Sequence, residues 1–212
     1  MLTEVAAGHP AVVLLNLGLA IAPMWHYAVV IGHDLDRREV LLRSGTTPVL
    51  RMALSTFEHT WARSGYWAFV ALPAGQLPVT SGVRDVADAL AAFERLNPPA
   101  SALSGYEAAL ARWPDDQVLG MGLGNTRFAL GQFEQAASAF ARIAERTDSA
   151  AAWNNLAMAR WRLGQTAAAQ EAARRAVQRA MQAEPNWLAA AQATLQETQQ
   201  SGTSLKPTPG PP

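Results

Sequence analysis

The sequence predicts an α+β protein: a small antiparallel β unit over residues 1–80, then an all-α array of helical hairpins over 81–200. Three observations predict this. Short apolar and β-branched runs, separated by turn residues, fill the first third of the chain. An internal repeat follows. Leu123-Gly124-x-x-Arg127-x-x-x-Gly131-Gln132 returns 33 residues later as Leu156-Ala157-x-x-Arg160-x-x-x-Gly164-Gln165, and Ala136 returns as Ala169. A period of this length is one helix-turn-helix unit. Between the two parts, Pro73-Ala74-Gly75-Gln76-Leu77-Pro78 has the composition of a linker.

The elements follow in order. Residues 2–7 read as the end of a helix, stopped by Gly8 and Pro10. Ala11–Leu17 is a buried strand and Gly18–Pro23 a loop. Trp25–Ile31 is a second strand, Asp34–Arg38 a polar hairpin turn, and Glu39–Arg43 the returning strand. Ser44–Pro48 reads as a loop, with Val49–Met52 as one more short strand. Ser55 and Glu58 have capping-box spacing, which starts a helix running to about Arg63. Tyr66–Leu72 completes about four strands. In the array, Gly131 and Gly164 stand where a first helix must stop and turn. Three copies are expected, at about 83–116, 117–149 and 150–183. A last helix, Trp187 to about Gln199, covers the final apolar face. The Gly, Ser, Thr and Pro-rich residues 201–212 are expected to be disordered.

Composition excludes several function classes. Half the residues are hydrophobic, enough for a core, and formal net charge is zero. Five Arg face five acids in 1–80, and eleven Arg face twelve acids in 81–200. No basic patch points to nucleic acid. There is no cysteine, hence no thiol nucleophile or thiolate metal site. Ala11–Ala22 imitates a signal segment with its Ala20-Ile21-Ala22 ending. No Lys or Arg precedes it, Asn16 and Gly18 interrupt it, and Pro23 follows, so it is read as a strand and loop. It is too short to span a bilayer. His33-Asp34 with His26 reads as surface turn rather than a metal cluster, and no cofactor is expected. Gly120-Met121-Gly122-Leu123-Gly124 imitates a phosphate loop, but it lies inside a repeat helix with no strand before it.

The repeat resembles the tetratricopeptide repeat, with its W-x2-L-G-x2-Y, A-x3-F, A and P positions. The third copy carries Trp153, Leu156, Gly164, Ala169 and Ala176. The second carries Leu123, Gly124, Gly131, Phe133, Ala136 and Phe140, and the first Ala102, Tyr106, Ala109 and Pro114. Arg127 and Arg160 replace the family's Tyr. The resemblance implies a groove that binds a peptide or partner helix. In peptide-clamping members, asparagines of the first helix hold the ligand backbone or its carboxylate. Asn125 and Asn155 match two of those positions. The clamp's lysines do not match, and Met121 stands at one of their places. Arg127 and Arg160 are candidate charges at the groove's edge, or partners of neighbouring acids.

Gly8-His9-Pro10-Ala11-Val12-Val13-Leu14 followed by Trp25-His26-Tyr27-Ala28-Val29-Val30-Ile31-Gly32 is similar to the C-terminal half of papain-like cysteine peptidases that cleave bacteriocin leaders after a double glycine. The resemblance covers about residues 1–72. It implies a papain-like β unit with His26 in the place of the general base. The orienting acid would fall near Arg43-Ser44-Gly45, where there is none, and the nucleophilic Cys is absent. The expectation is therefore a non-enzymatic interaction scaffold with a catalytically incomplete peptidase-like domain. Its rival is the C-terminal part of a peptidase whose Cys-bearing half precedes this chain. An incomplete β unit is also expected to expose one sheet face and to self-associate through it.

Overall fold

The computed structural model describes residues 1–200; the tail expected to be disordered lies outside them. The chain divides into two compact units, Met1–Gly82 and the residues from Val83 on.

The first unit is one antiparallel sheet with two helices on one face. Its elements are α1 (Leu2–Ala6), β1 (Ala11–Asn16), β2 (Trp25–Asp34), β3 (Glu39–Ser44), β4 (Thr47–Ala53), α2 (Leu54–Ala62) and β5 (Ala68–Val70). The strand order is β4-β3-β2-β1-β5. There are five strands rather than about four. The expected 44–48 loop is a tight turn instead: Gly45 adopts a left-handed φ of 55°, Ser44 pairs with Thr47, and β4 begins there. The Ser55 capping box does not form. β4 runs straight into α2 with Ala53 as N-cap, which puts Ser55 inside the helix. Tyr66, at φ 60°, still belongs to the turn that ends α2, and this shortens β5.

Two-residue alternation decides which side chains face the helices. Ala11, Val13 and Leu15 of β1 pair with Val30, Ala28 and His26 of β2. All of these but the partly buried His26 form the core with Val40 and Leu42, closed by Val5 of α1 and Phe57 of α2. The residues between them point the other way. Leu14 stands beside Tyr27 and donates its N–H to the Trp67 carbonyl; Val12 stands between Phe69 and Val29. No helix of this unit covers that second face. Trp25, Tyr27, Trp67 and Phe69 are exposed there, and Trp67 makes edge contacts with Tyr27 and Phe69. The sheet edge at β4 carries Pro48 and Arg51, residues that discourage strand addition.

A buried carboxylate ties the exit segment to α1. Glu4, 4% exposed, accepts hydrogen bonds from the N–H of Val79 and of Thr80 and from the Thr80 hydroxyl, and meets His9 Nδ1 at 2.8 Å. Burial would raise its pKa. The hydrogen bonds from Thr80, His9 and the two backbone amides outweigh burial and hold it at about 2.

The second unit is three helical hairpins and a last helix: α3 (Val83–Leu96), α4 (Pro99–Arg112), α5 (Gln117–Ala129), α6 (Phe133–Thr147), α7 (Ala150–Arg162), α8 (Thr166–Gln182) and α9 (Leu188–Gln200). A short 3-10 turn, Pro185–Trp187, leads into α9. The core is built from small residues against a few large ones. Ala136, Ala157, Ala172, Ala173 and Ala176 surround Phe140, Ile143, Trp153 and Leu156. Glu184, before the 3-10 turn, reaches back to accept from the Ala150 N–H at the start of α7.

Candidate functional site

The repeat returns in the backbone hydrogen bonds. At the end of α5, Gly131 N donates to Phe128 O and Gln132 N to Arg127 O. At the end of α7, Gly164 N donates to Trp161 O and Gln165 N to Arg160 O. Both glycines have a left-handed φ, 74° and 72°, and this pattern closes a helix C-terminus. The two turns place α5 and α7 equivalently. α3 packs near α5, α7 packs near α9, and Asn155 reaches Asn125, so the first helices of the hairpins form one row.

α5 is held in that row by its glycines. A Cβ on Gly122 would meet Tyr106 of α4, with Cζ at 2.5 Å. One on Gly124 would meet Phe140 of α6, with Cδ1 at 2.7 Å, and one on Gly120 would lie 2.6 Å from Ile143 Cδ1. The glycine run is thus helix packing from both sides. Tyr106 donates to Glu94 at 2.8 Å, and Thr126 of α5 donates to the same carboxylate at 3.3 Å. Burial, together with the Glu94 charge, keeps the Tyr106 phenol protonated well above its usual range.

On this fixed helix Asn125 is exposed and forms part of a ladder of amides. Asn155 Nδ2 donates to Asn125 Oδ1 at 3.0 Å, and Asn154 Nδ2 donates to Asn155 Oδ1 at 3.4 Å. Asn154 is 7% exposed, and its Oδ1 is buried without a hydrogen-bond partner. A buried unpaired acceptor costs roughly 1–3 kcal/mol. Met121 and Phe128 of α5 are partly buried alongside. The site therefore offers neutral donors and acceptors beside apolar side chains.

The two candidate arginines are engaged elsewhere. Arg127 Nη2 pairs with Glu107 of α4 at 3.1 Å, the neighbouring acid the sequence offered as an alternative. Arg160 Nη1 reaches Ala168 O of α8 at 3.5 Å. Sequence reasoning missed Asn154, which carried no signal beyond its place beside Asn155. It also missed Arg162, whose guanidinium lies 4.4 Å from the Phe133 ring centroid. In the first unit, His26 Nε2 lies 2.7 Å from Ser44 Oγ, both partly buried. Among the described residues, no three His, Cys, Asp or Glu gather as a metal site, and His33-Asp34 lies on the β2 end leading into the turn.

Residues 150–180 match the tetratricopeptide repeat family model. No curated protein matches the chain. Solved structures do. The Sgt2 TPR domain from Aspergillus fumigatus is 18% identical, with a TM-score of 0.52 over 61% of this chain and 87% of that one. The first TPR of Spaghetti (RPAP3), bound to the HSP90 peptide SRMEEVD, is 20% identical, with a TM-score of 0.51 over 57% and 94%. The Yersinia enterocolitica type III secretion chaperone SycD, in complex with a peptide of the translocator YopD, is 15% identical, with a TM-score of 0.52 over 58% and 98%. The second unit has the fold of a tetratricopeptide-repeat array, and residues 150–180 are a repeat of that family.

Proposed function

We propose that this protein is a non-enzymatic interaction scaffold whose helical array binds an extended peptide or partner helix along α5 and α7, with Asn125 and Asn155 at the centre of the contact. The observation that carries this reading is the ladder of asparagine amides joining the two helices, with one buried acceptor left unmet. Amides match the alternating N–H and C=O of a peptide backbone without selecting its side chains. Two arrays of the same fold are seen with peptides, SRMEEVD in one and a YopD segment in the other, which supports a peptide ligand here. The cations that could recognise a terminal carboxylate are absent or engaged: Met121 occupies one lysine position, Arg127 pairs with Glu107, Arg160 reaches the Ala168 carbonyl, and Arg162 lies over the Phe128 and Phe133 rings. The ligand is therefore an uncharged internal segment, not an acidic C-terminus.

An immobilised array of overlapping peptides, each with a free or an amidated C-terminus, tests this. Uncharged apolar segments should bind equally in both forms, and the Asn125→Ala/Asn155→Ala variant should remain folded and lose them. Full-strength binding by that variant, or a strict need for the free carboxylate, would refute the site.

A second reading follows from the His26–Ser44 contact: the β unit keeps a base and an orienting hydroxyl from a papain-like peptidase without a nucleophile. A double-glycine leader peptide should not be turned over by this chain. Turnover that disappears in His26→Ala would overturn the non-enzymatic reading.

A further inference from the structure

We propose that the pocket between α1 and α2 binds a small quaternary ammonium compound of the choline type. The pocket has a volume of about 290 Å³, at the lower end of the range for small-molecule sites. Three aromatic side chains build one wall. Trp61 is fixed by its Nε1–H, which donates to the Trp67 carbonyl at 2.9 Å. Tyr66 meets it at right angles with ring centroids 5.1 Å apart, and Phe57 lies against the indole with centroids at 5.5 Å. The right angle leaves a corner bounded by π surface on two sides. Tyr66 holds its side of that corner from a strained backbone, φ 60°, where its N–H donates to the Trp61 carbonyl. Its ring stays 53% exposed, and its hydroxyl has no hydrogen-bond partner among the described residues.

The charge of the pocket selects the ligand. Glu58, left free because the capping box does not form, lines the pocket. It is exposed and makes no hydrogen bond or ion pair among the described residues. No basic residue lines the pocket, and Arg63 at the end of α2 is turned to the carbonyls of Asn16 and Gly18. Aromatic faces and an unpaired carboxylate both attract a cation. The rest of the lining, Met1, Leu2 and Leu54, is apolar and packs against the core. A primary ammonium carries three donors that need acceptors, and the side chains here offer only the Glu58 carboxylate and the Tyr66 hydroxyl. A quaternary ammonium needs no acceptor, and its methyl groups match the apolar walls. With no basic side chain to meet a phosphate, the pocket suits the free amine rather than a phosphocholine head group.

Titration of the full chain with choline at constant ionic strength tests this, followed at the Trp61 indole N–H resonance and by calorimetry. Choline should saturate the site with a Kd on the order of 1 mM. Its neutral carbon isostere, with tert-butyl in place of trimethylammonium, should bind at least about tenfold more weakly. Ethanolamine and phosphocholine should also bind more weakly than choline. Glu58→Gln, at an exposed position, should weaken choline about threefold. Tyr66→Asn removes the ring with a residue that tolerates positive φ and should weaken choline about fivefold, whereas Tyr66→Phe should retain it. Tyr27→Ala, on the opposite face of the sheet, should change nothing. An isostere that binds as tightly as choline would make the pocket merely apolar and overturns the proposal. So does a failure to saturate by about 20 mM, or a Glu58→Gln chain that binds choline as wild type does. Phosphocholine binding more tightly than choline overturns it as well, by assigning the pocket to a lipid head group.

Discussion

The Glu4 anchor makes the first unit acid-sensitive in a specific window. In the unfolded chain this carboxyl titrates near 4.5; in the folded unit it is held at about 2. The folded value is the lower one, so the unfolded state binds the proton more tightly. The contribution is complete above pH 4.5 and is lost as pH falls toward 2. At about 1.4 kcal/mol per pH unit, the difference corresponds to roughly 3 kcal/mol. Glu4 is only 4% exposed, so solvent screening removes little of this. Urea unfolding of the full chain, followed through methyl resonances of Val13 and Val30, isolates the first unit from the helical one. Its stability should fall by about 3 kcal/mol between pH 5 and pH 2. Glu4→Gln should start lower at pH 6, because a neutral amide accepts more weakly and places N–H groups against the Thr80 and Val79 donors. Its stability should then stay nearly flat across the same window. A Glu4→Gln protein that repeats the wild-type acid loss would refute the reasoning, because another carboxylate would then carry it.

Three further outcomes are expected. Gly124→Ala should destabilise the array by about 1–2 kcal/mol despite the higher helix propensity of Ala, because the new methyl overpacks the Phe140 ring; Phe140→Leu in the same chain should recover part of the loss in a thermal melt. Gly131→Ala meets open space but at φ 74°, so it should cost about 1–2 kcal/mol that Phe140→Leu does not recover. Residues 83–200 alone should give a strongly helical circular dichroism spectrum and melt cooperatively, since their buried alanines and aromatics come from within the unit; a coil spectrum would refute the array as a self-sufficient fold.

The helical unit was legible in the sequence because its encoding is local. Gly131 and Gly164 each specify a backbone conformation that few other residues adopt, and their 33-residue spacing names the repeat. The β unit was less legible because its boundaries are settled by pairing between strands. Ser55 has a capping side chain at the right spacing, yet the pairing of β4 with β3 extends to Ala53, and the helix begins two residues earlier with Ala53 as its N-cap. Likewise Ser44–Pro48 contains the residues of a loop, but Ser44 and Thr47 close a hairpin, so the strand expected at Val49–Met52 already begins at Thr47.

The candidate site divides along the same line. Asn125 and Asn155 were singled out by their match to the family's clamp positions rather than by the 33-residue period, and the structure brings their amides to 3.0 Å. The sequence left Arg127 and Arg160 between the groove's edge and neighbouring acids, and their ends are fixed by what the second helices offer within reach: Glu107 in one case and a backbone carbonyl in the other. Nor did it show that Asn154 would be buried with an unmet oxygen. Those contacts decide the chemistry of the groove. With Arg127 on Glu107, Arg160 near the Ala168 carbonyl and a methionine at a lysine position, the contact proposed along α5 and α7 would draw on amides and apolar side chains rather than on charge.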